Sequence, residues 1–147
     1  MLALQPFSML KSMNRELEKR QNIIIDELDL FPNWGDKFSH LIRESESMPL
    51  MREEDRTPDF LIPGCISRTY FKTDLVDGKI SISGWSNASI PHALIALCYR
   101  LFDGLYVSHL QDADITFHIE SGLIKQLTPP RASALQEMLR RILSLSR

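Results

Sequence analysis

Apolar positions recur at helical intervals in several stretches of this chain. From about Asn14 a charged segment carries Leu17, Ile24 and Leu28 on one side, which predicts a helix ending before Pro32. Asn33 is placed to cap a second helix whose stripe is Trp34, Phe38, Leu41 and Ile42. Pro49 ends it near Met48, because the residue before a proline avoids the helical region. Leu50 to Phe60 is charged, contains Pro58 and reads as a loop. Leu61 to Ser67, with Pro63, Gly64 and Cys65, has neither period.

The period then changes. Arg68 to Leu75 is rich in β-branched and aromatic residues, and Asp77-Gly78 is a tight-turn pair. Lys79 to Ser83 alternates, with Ile80 and Ile82 on one face, so the two runs form an antiparallel hairpin. A lone hairpin is marginal in water, so helices must cover it or a short third strand must join it. Ser89 is positioned as the cap of a long helix with Pro91 in its first turn. Ile90, Leu94, Leu97, Cys98, Leu101 and Phe102 form its stripe, and Gly104 ends it. Short helices are expected over Ser108 to Asp112 and Thr116 to Ile124. Thr128-Pro129-Pro130 opens a last helix lined by Leu135, Met138, Leu139 and Ile142. Segregated strands and helices imply an α+β domain.

The 147 residues suit one core, read as a flexible N-terminal segment over 1–13 and a single domain over 14–147. A net charge of -2 leaves no basic footprint for nucleic acid or anionic lipid. No apolar run approaches the roughly 20 residues of a membrane span, and the N-terminus lacks a signal-peptide pattern. The expectation is a cytoplasmic protein with no nucleic-acid or membrane partner.

Chemistry narrows to two thiols. Two cysteines are too few for a disulfide framework or a four-ligand zinc site. Cys98 obeys the apolar stripe of its helix and reads as a small buried hydrophobe. Cys65 lies off any apolar face, after Gly64, which frees the backbone, and two residues before the Ser67 hydroxyl. Local sequence leaves two readings open, a turn cysteine and a working thiol. His40, His92, His109 and His118 show no metal-ligand spacing and read as surface or satisfied residues. His92, in the first turn of the helix after the hairpin, is the one placed to approach the Cys65 loop. The run Arg52-Glu53-Glu54-Asp55-Arg56 reads as solvated, and Trp34 and Phe38 as core.

Ile62, Gly64, Cys65 and Ser67 stand ahead of a strand, with Trp34, Leu41-Ile42, Pro49 and Arg56 upstream. Gly78, Ser86, Ala88, Leu94-Ile95-Ala96 and Leu127-Thr128-Pro129-Pro130-Arg131 follow downstream. In this order the segments resemble the SufE family, sulfur acceptors that work with cysteine desulfurases. Phe60, Tyr70, Asn87 and His92-Ala93 depart from the family pattern.

The resemblance implies an α+β fold of the SufE/NifU-like kind and a persulfide carrier with no turnover of its own. Cys65 would take sulfur from a pyridoxal-phosphate cysteine desulfurase of the SufS type, stimulate that enzyme, and pass the sulfur to an iron–sulfur scaffold of the SufB type. Gly64, Ser67, Arg56, Asn87, His92 and Arg131 become loop or partner contacts, and no metal or cofactor is required on this chain. Two rival readings stand beside it: a thiol enzyme pairing Cys65 with His92, and an interaction module in which Cys65 is structural.

Overall fold

The computed structural model describes residues 4–146, with side chains from residue 15 onward. Among the described residues, six α-helices surround one antiparallel hairpin, giving the α+β architecture expected. The helices are α1 (Leu4–Asp29), α2 (Trp34–Ser45), α3 (Ser89–Phe102), α4 (Phe117–Glu120), α5 (Leu123–Gln126) and α6 (Pro129–Ser144). The strands are β1 (Thr69–Val76) and β2 (Lys79–Ser86).

Most boundaries follow from local chemistry. Asn33 caps α2 by accepting the Asp36 amide at 2.9 Å. Asp77 and Gly78 both have positive φ, 53° and 76°, as a two-residue type I′ turn needs. Pro129 and Pro130 open α6, where a missing N–H costs nothing. Three readings shift. The helix read from Asn14 begins at Leu4. Ser89 is the first residue of α3 and not its cap: Ala88 holds that place, and its N–H goes to Ser86 Oγ. The helix read over Thr116 to Ile124 is two short ones, split by Gly122 at φ 82°.

Helix α3 is the centre of the core, with Ala93 through Cys98 all buried, and it lies across the inward face of the hairpin. That face presents Thr69 and Phe71 from β1, and Ile80, Ile82, Gly84 and Ser86 from β2. Gly84 is required by the close approach. A Cβ there would sit 2.6 Å from Ile95 Cγ2 and 2.8 Å from the Tyr70 carbonyl.

The expected third strand is not found among the described residues, because both hairpin edges are satisfied piecemeal. Along β2, the Ile80 N–H donates to the Leu105 carbonyl at 2.7 Å, and the Ile80 carbonyl accepts the Gly104 N–H at 2.8 Å. Ile82 N–H donates to the Asp103 carboxylate at 2.8 Å and Ser86 N–H to His92 Nδ1 at 3.2 Å. Along β1, the Thr69 carbonyl takes the Ile62 N–H at 2.8 Å and the Phe71 carbonyl takes Arg141 Nη1 at 2.9 Å. Covering the β1 edge this way positions the Cys65 loop.

Candidate functional site

The loop bearing Cys65 is pinned at both ends. On the incoming side, Ile62 is bonded to Thr69 and Leu61 forms a single bridge with Tyr70. On the outgoing side, Asn87 brackets Arg68, its Oδ1 accepting the Arg68 N–H at 3.0 Å and its own N–H reaching the Arg68 carbonyl at 3.2 Å. Between them, residues 63–67 form a tip without helix or strand. Gly64 turns it at φ 77°, and a Cβ there would meet nothing within 4 Å. Backbone conformation, and not crowding, is what that position requires.

Cys65 is half-buried at the tip, a free thiol packed on the margin of the core. Its sulfur lies 3.7 Å from Ser67 Oγ and 3.8 Å from Thr69 Oγ1, the longer span a sulfur acceptor takes. Its neighbour Ile66 is 100% exposed, so the thiol is flanked by an apolar side chain standing wholly in solvent. Two open grooves meet at the loop. One, of about 670 Å³, runs between Cys65, Ser67 and Asn87 on one bank and Thr128, Pro130 and Arg131 on the other. The second, of about 590 Å³, lies on the far side along Pro63, Arg68 and Arg141.

The sequence-derived candidates divide. Cys65, Ser67, Asn87 and Arg131 share the first groove, and Gly64 lines the second. Arg131 forms no hydrogen bond or ion pair among the described residues, so its charge faces the groove without a partner. Arg56 and His92 line neither groove. Arg56 stacks on Trp85, 4.3 Å from the ring centroid, and donates to the Met51 carbonyl at 2.9 Å. His92 accepts the Ser86 amide proton on Nδ1 and is not among the groups hydrogen-bonded to Cys65. Burial first, and the Arg56 charge second, push its pKa down, favouring the neutral ring that this bond requires. The Cys–His pair of a thiol enzyme is therefore not assembled here.

Residues 22–146 match the SufE family, described as the Fe-S metabolism associated domain. The chain belongs to the SufE family. An uncharacterized SufE-like protein of Rhizobium meliloti (strain 1021) is 31% identical over 126 residues, spanning 82% of this chain and 90% of the relative. The solution structure of a hypothetical protein from Thermus thermophilus shares the fold, with a TM-score of 0.67 at 16% identity. It covers 90% of this chain and 93% of that one. Membership places this SufE protein in iron–sulfur metabolism.

Against that background, Cys98 is fully buried on α3, and burial pushes its thiol up to about 12. It is inert packing, as its stripe position predicts. His40 pairs with Glu27 and stacks on Phe31, while His118 is half-buried beside Phe117, where burial lowers its pKa. Among the described residues, no group of three or more His, Cys, Asp or Glu side chains converges as metal ligands. No described helix is long and apolar enough to cross a membrane.

Two contributors to the SufE loop, Thr69 and Arg141, were not read from sequence, and Ser86 entered only through the family resemblance, without a role at Cys65. Thr69 and Ser86 are 0% and 7% exposed and face each other across the hairpin, hydroxyl to hydroxyl at 2.9 Å. Their signal was a polar residue at the end of each strand's inward-facing series. Arg141 had no local signal, since its acceptors lie far away in sequence.

Proposed function

We propose that this SufE protein is a persulfide carrier whose acceptor is the Cys65 thiol. What carries the reading is the placement of that thiol, reachable from two grooves, held by hydroxyl groups and flanked by the exposed Ile66. Such a group meets the demands of thiol exchange, which are access and an environment that tolerates a sulfur anion.

The donor is a pyridoxal-phosphate cysteine desulfurase of the SufS type that carries a persulfide on its own cysteine. The Cys65 thiolate attacks the outer sulfur. The sulfur–sulfur bond to the desulfurase breaks, its electron pair leaves with the desulfurase thiolate, and a new sulfur–sulfur bond forms on Cys65. The proton lost from Cys65 is balanced by protonation of the leaving thiolate, and no net oxidation occurs. A second exchange of the same kind delivers the sulfur to an iron–sulfur scaffold of the SufB type. Clearing the desulfurase of its persulfide readies it for another turnover, which is how a carrier without its own turnover stimulates its donor. Arg131, unpaired in the groove, supplies a cationic docking contact, and the turn at Gly64 lets the tip move outward.

The test is to incubate the protein with such a desulfurase and L-cysteine and weigh the intact chain under non-reducing conditions. A gain of about 32 Da, one sulfur atom, is expected in the wild type and in Cys98→Ala and is absent from Cys65→Ser. A wild type that gains nothing rejects the carrier reading.

A further inference from the structure

Thr69 and Ser86 are polar residues on an inward face otherwise filled by Phe71, Ile80 and Ile82. Buried hydroxyls weaken a fold unless their hydrogen bonds are made. Either hydroxyl of the Thr69–Ser86 pair can donate, so their neighbours set the direction. Ser86 Oγ accepts the Ala88 amide proton at 3.2 Å and lies 2.9 Å from Thr69 Oγ1. Thr69 Oγ1 lies 3.8 Å from Cys65 Sγ, and Ser67 Oγ lies 3.7 Å from the same sulfur. The Ser67 and Thr69 oxygens are themselves 3.2 Å apart.

A hydroxyl has one proton to give and two lone pairs to receive with. Because Ser86 already accepts from an amide, its own proton is available to Thr69. Thr69, so supplied, turns its proton on the sulfur, and Ser67 turns a second. A sulfur anion can only accept, so this order satisfies the buried hydroxyls and places two donors on Cys65. The backbone upstream is set by regular structure, since Thr69 and Ser86 are register partners and Ala88 immediately precedes α3.

We propose that Thr69 is a positioning residue for the Cys65 sulfur. Together with Ser67 it forms a two-donor cradle, ordered through Ser86, for that sulfur, which becomes a thiolate whenever the outer sulfur of the persulfide is passed on. The cradle rests on the carrier reading given above and adds to it the group that receives the leaving charge. A small thiol that attacks the outer sulfur expels the same Cys65 thiolate as a partner's thiol does. The rate at which a small thiol removes the sulfur is therefore the property to measure.

The experiment loads wild type, Thr69→Val, Thr69→Ser and Ser67→Ala with sulfur from the desulfurase and L-cysteine, removes both, and adds a fixed concentration of dithiothreitol. Intact mass follows the decay of the loaded species, and circular dichroism checks that each variant is folded. Thr69→Val keeps the shape of the side chain without its proton and should lose sulfur about two- to tenfold more slowly, the range one hydrogen bond spans. Thr69→Ser should decay as the wild type does, a rescue that a purely structural role of the threonine methyl would not produce. Should Thr69→Val fail to fold, Ser67→Ala, at the half-exposed donor, must show the slower decay instead. Folded, loaded variants that lose sulfur as fast as the wild type, or faster, overturn the cradle and leave the carrier reading standing. A wild type that never loads removes both.

Discussion

Arg141 donates a hydrogen bond to the carbonyl of Leu61 at 2.7 Å, joining residues 80 positions apart. The same guanidinium reaches the carbonyls of Phe60 at 3.2 Å and Phe71 at 2.9 Å. One side chain from α6 thus ties the stem of the Cys65 loop to the edge of β1. Bonds from a charged donor to backbone carbonyls contribute more than neutral ones. Arg141→Met, which keeps the aliphatic stem, should lower stability by about 1–3 kcal/mol. Hydrogen–deuterium exchange should show the largest increase over residues 60–72, with α2 and the buried part of α3 protected as before. Uniform loosening of the whole chain would argue against a local clamp.

Glu137 holds Arg141 from the side. Hydrogen bonds from Arg140, at 2.8 and 2.5 Å, and then from Arg141, at 3.2 Å, outweigh burial and keep the Glu137 carboxyl at about 2. A carboxylate whose folded pKa lies below its unfolded value of 4.5 contributes stability above that value, and the contribution is lost as pH falls towards 2. Glu137→Gln should therefore be less stable than wild type at neutral pH, with the difference shrinking between pH 4.5 and 2. Urea unfolding across that range measures it, and a gap independent of pH would exclude the linkage.

His92 works in the same direction for a different reason. Its neutral ring accepts the Ser86 amide proton, and its folded pKa is lowered from 6.5. The neutral form is favoured in the fold, so its contribution is present above pH 6.5 and is lost as pH falls through 6.5 towards the folded value. His118, lowered by burial, adds a background of the same sign. Replacing His92 with Gln removes one titrating group while retaining an acceptor. The wild type should lose more stability than His92→Gln between pH 7 and 5, and parallel profiles would refute the assignment.

The two thiols should respond to labelling in opposite ways. Cys98 is 0% exposed, with burial pushing its thiol up to about 12, while Cys65 lies at the grooves. Iodoacetamide applied to the native protein should modify Cys65 alone, and Cys98 should react only after denaturation. Peptide mapping that finds Cys98 alkylated in the native state would show that the core around α3 opens readily.

The local elements were legible in the sequence because their causes are local. Asn33 caps its own helix, Asp77-Gly78 is chemically suited to positive φ, and Cys98 follows a period that buries one side of α3. The position of Cys65 in an aperiodic loop after a glycine was equally plain. The short motifs around it, in their order along the chain, were enough to indicate the SufE family that residues 22–146 match.

What the sequence by itself determined, then, was the order of helices and strands, the family, and which thiol lies outside the apolar pattern. Tertiary structure alone decided what surrounds that thiol. Strand register made Thr69 and Ser86 partners, and the packing of α6 carried Arg141 to the β1 edge. Contacts with His92 and the Gly104 to Val107 segment covered β2, where a third strand was expected. Periodicity records only which face of an element is apolar. Which hydroxyl meets which sulfur, and which cation meets which carbonyl, depends on how those faces are brought together across the whole chain.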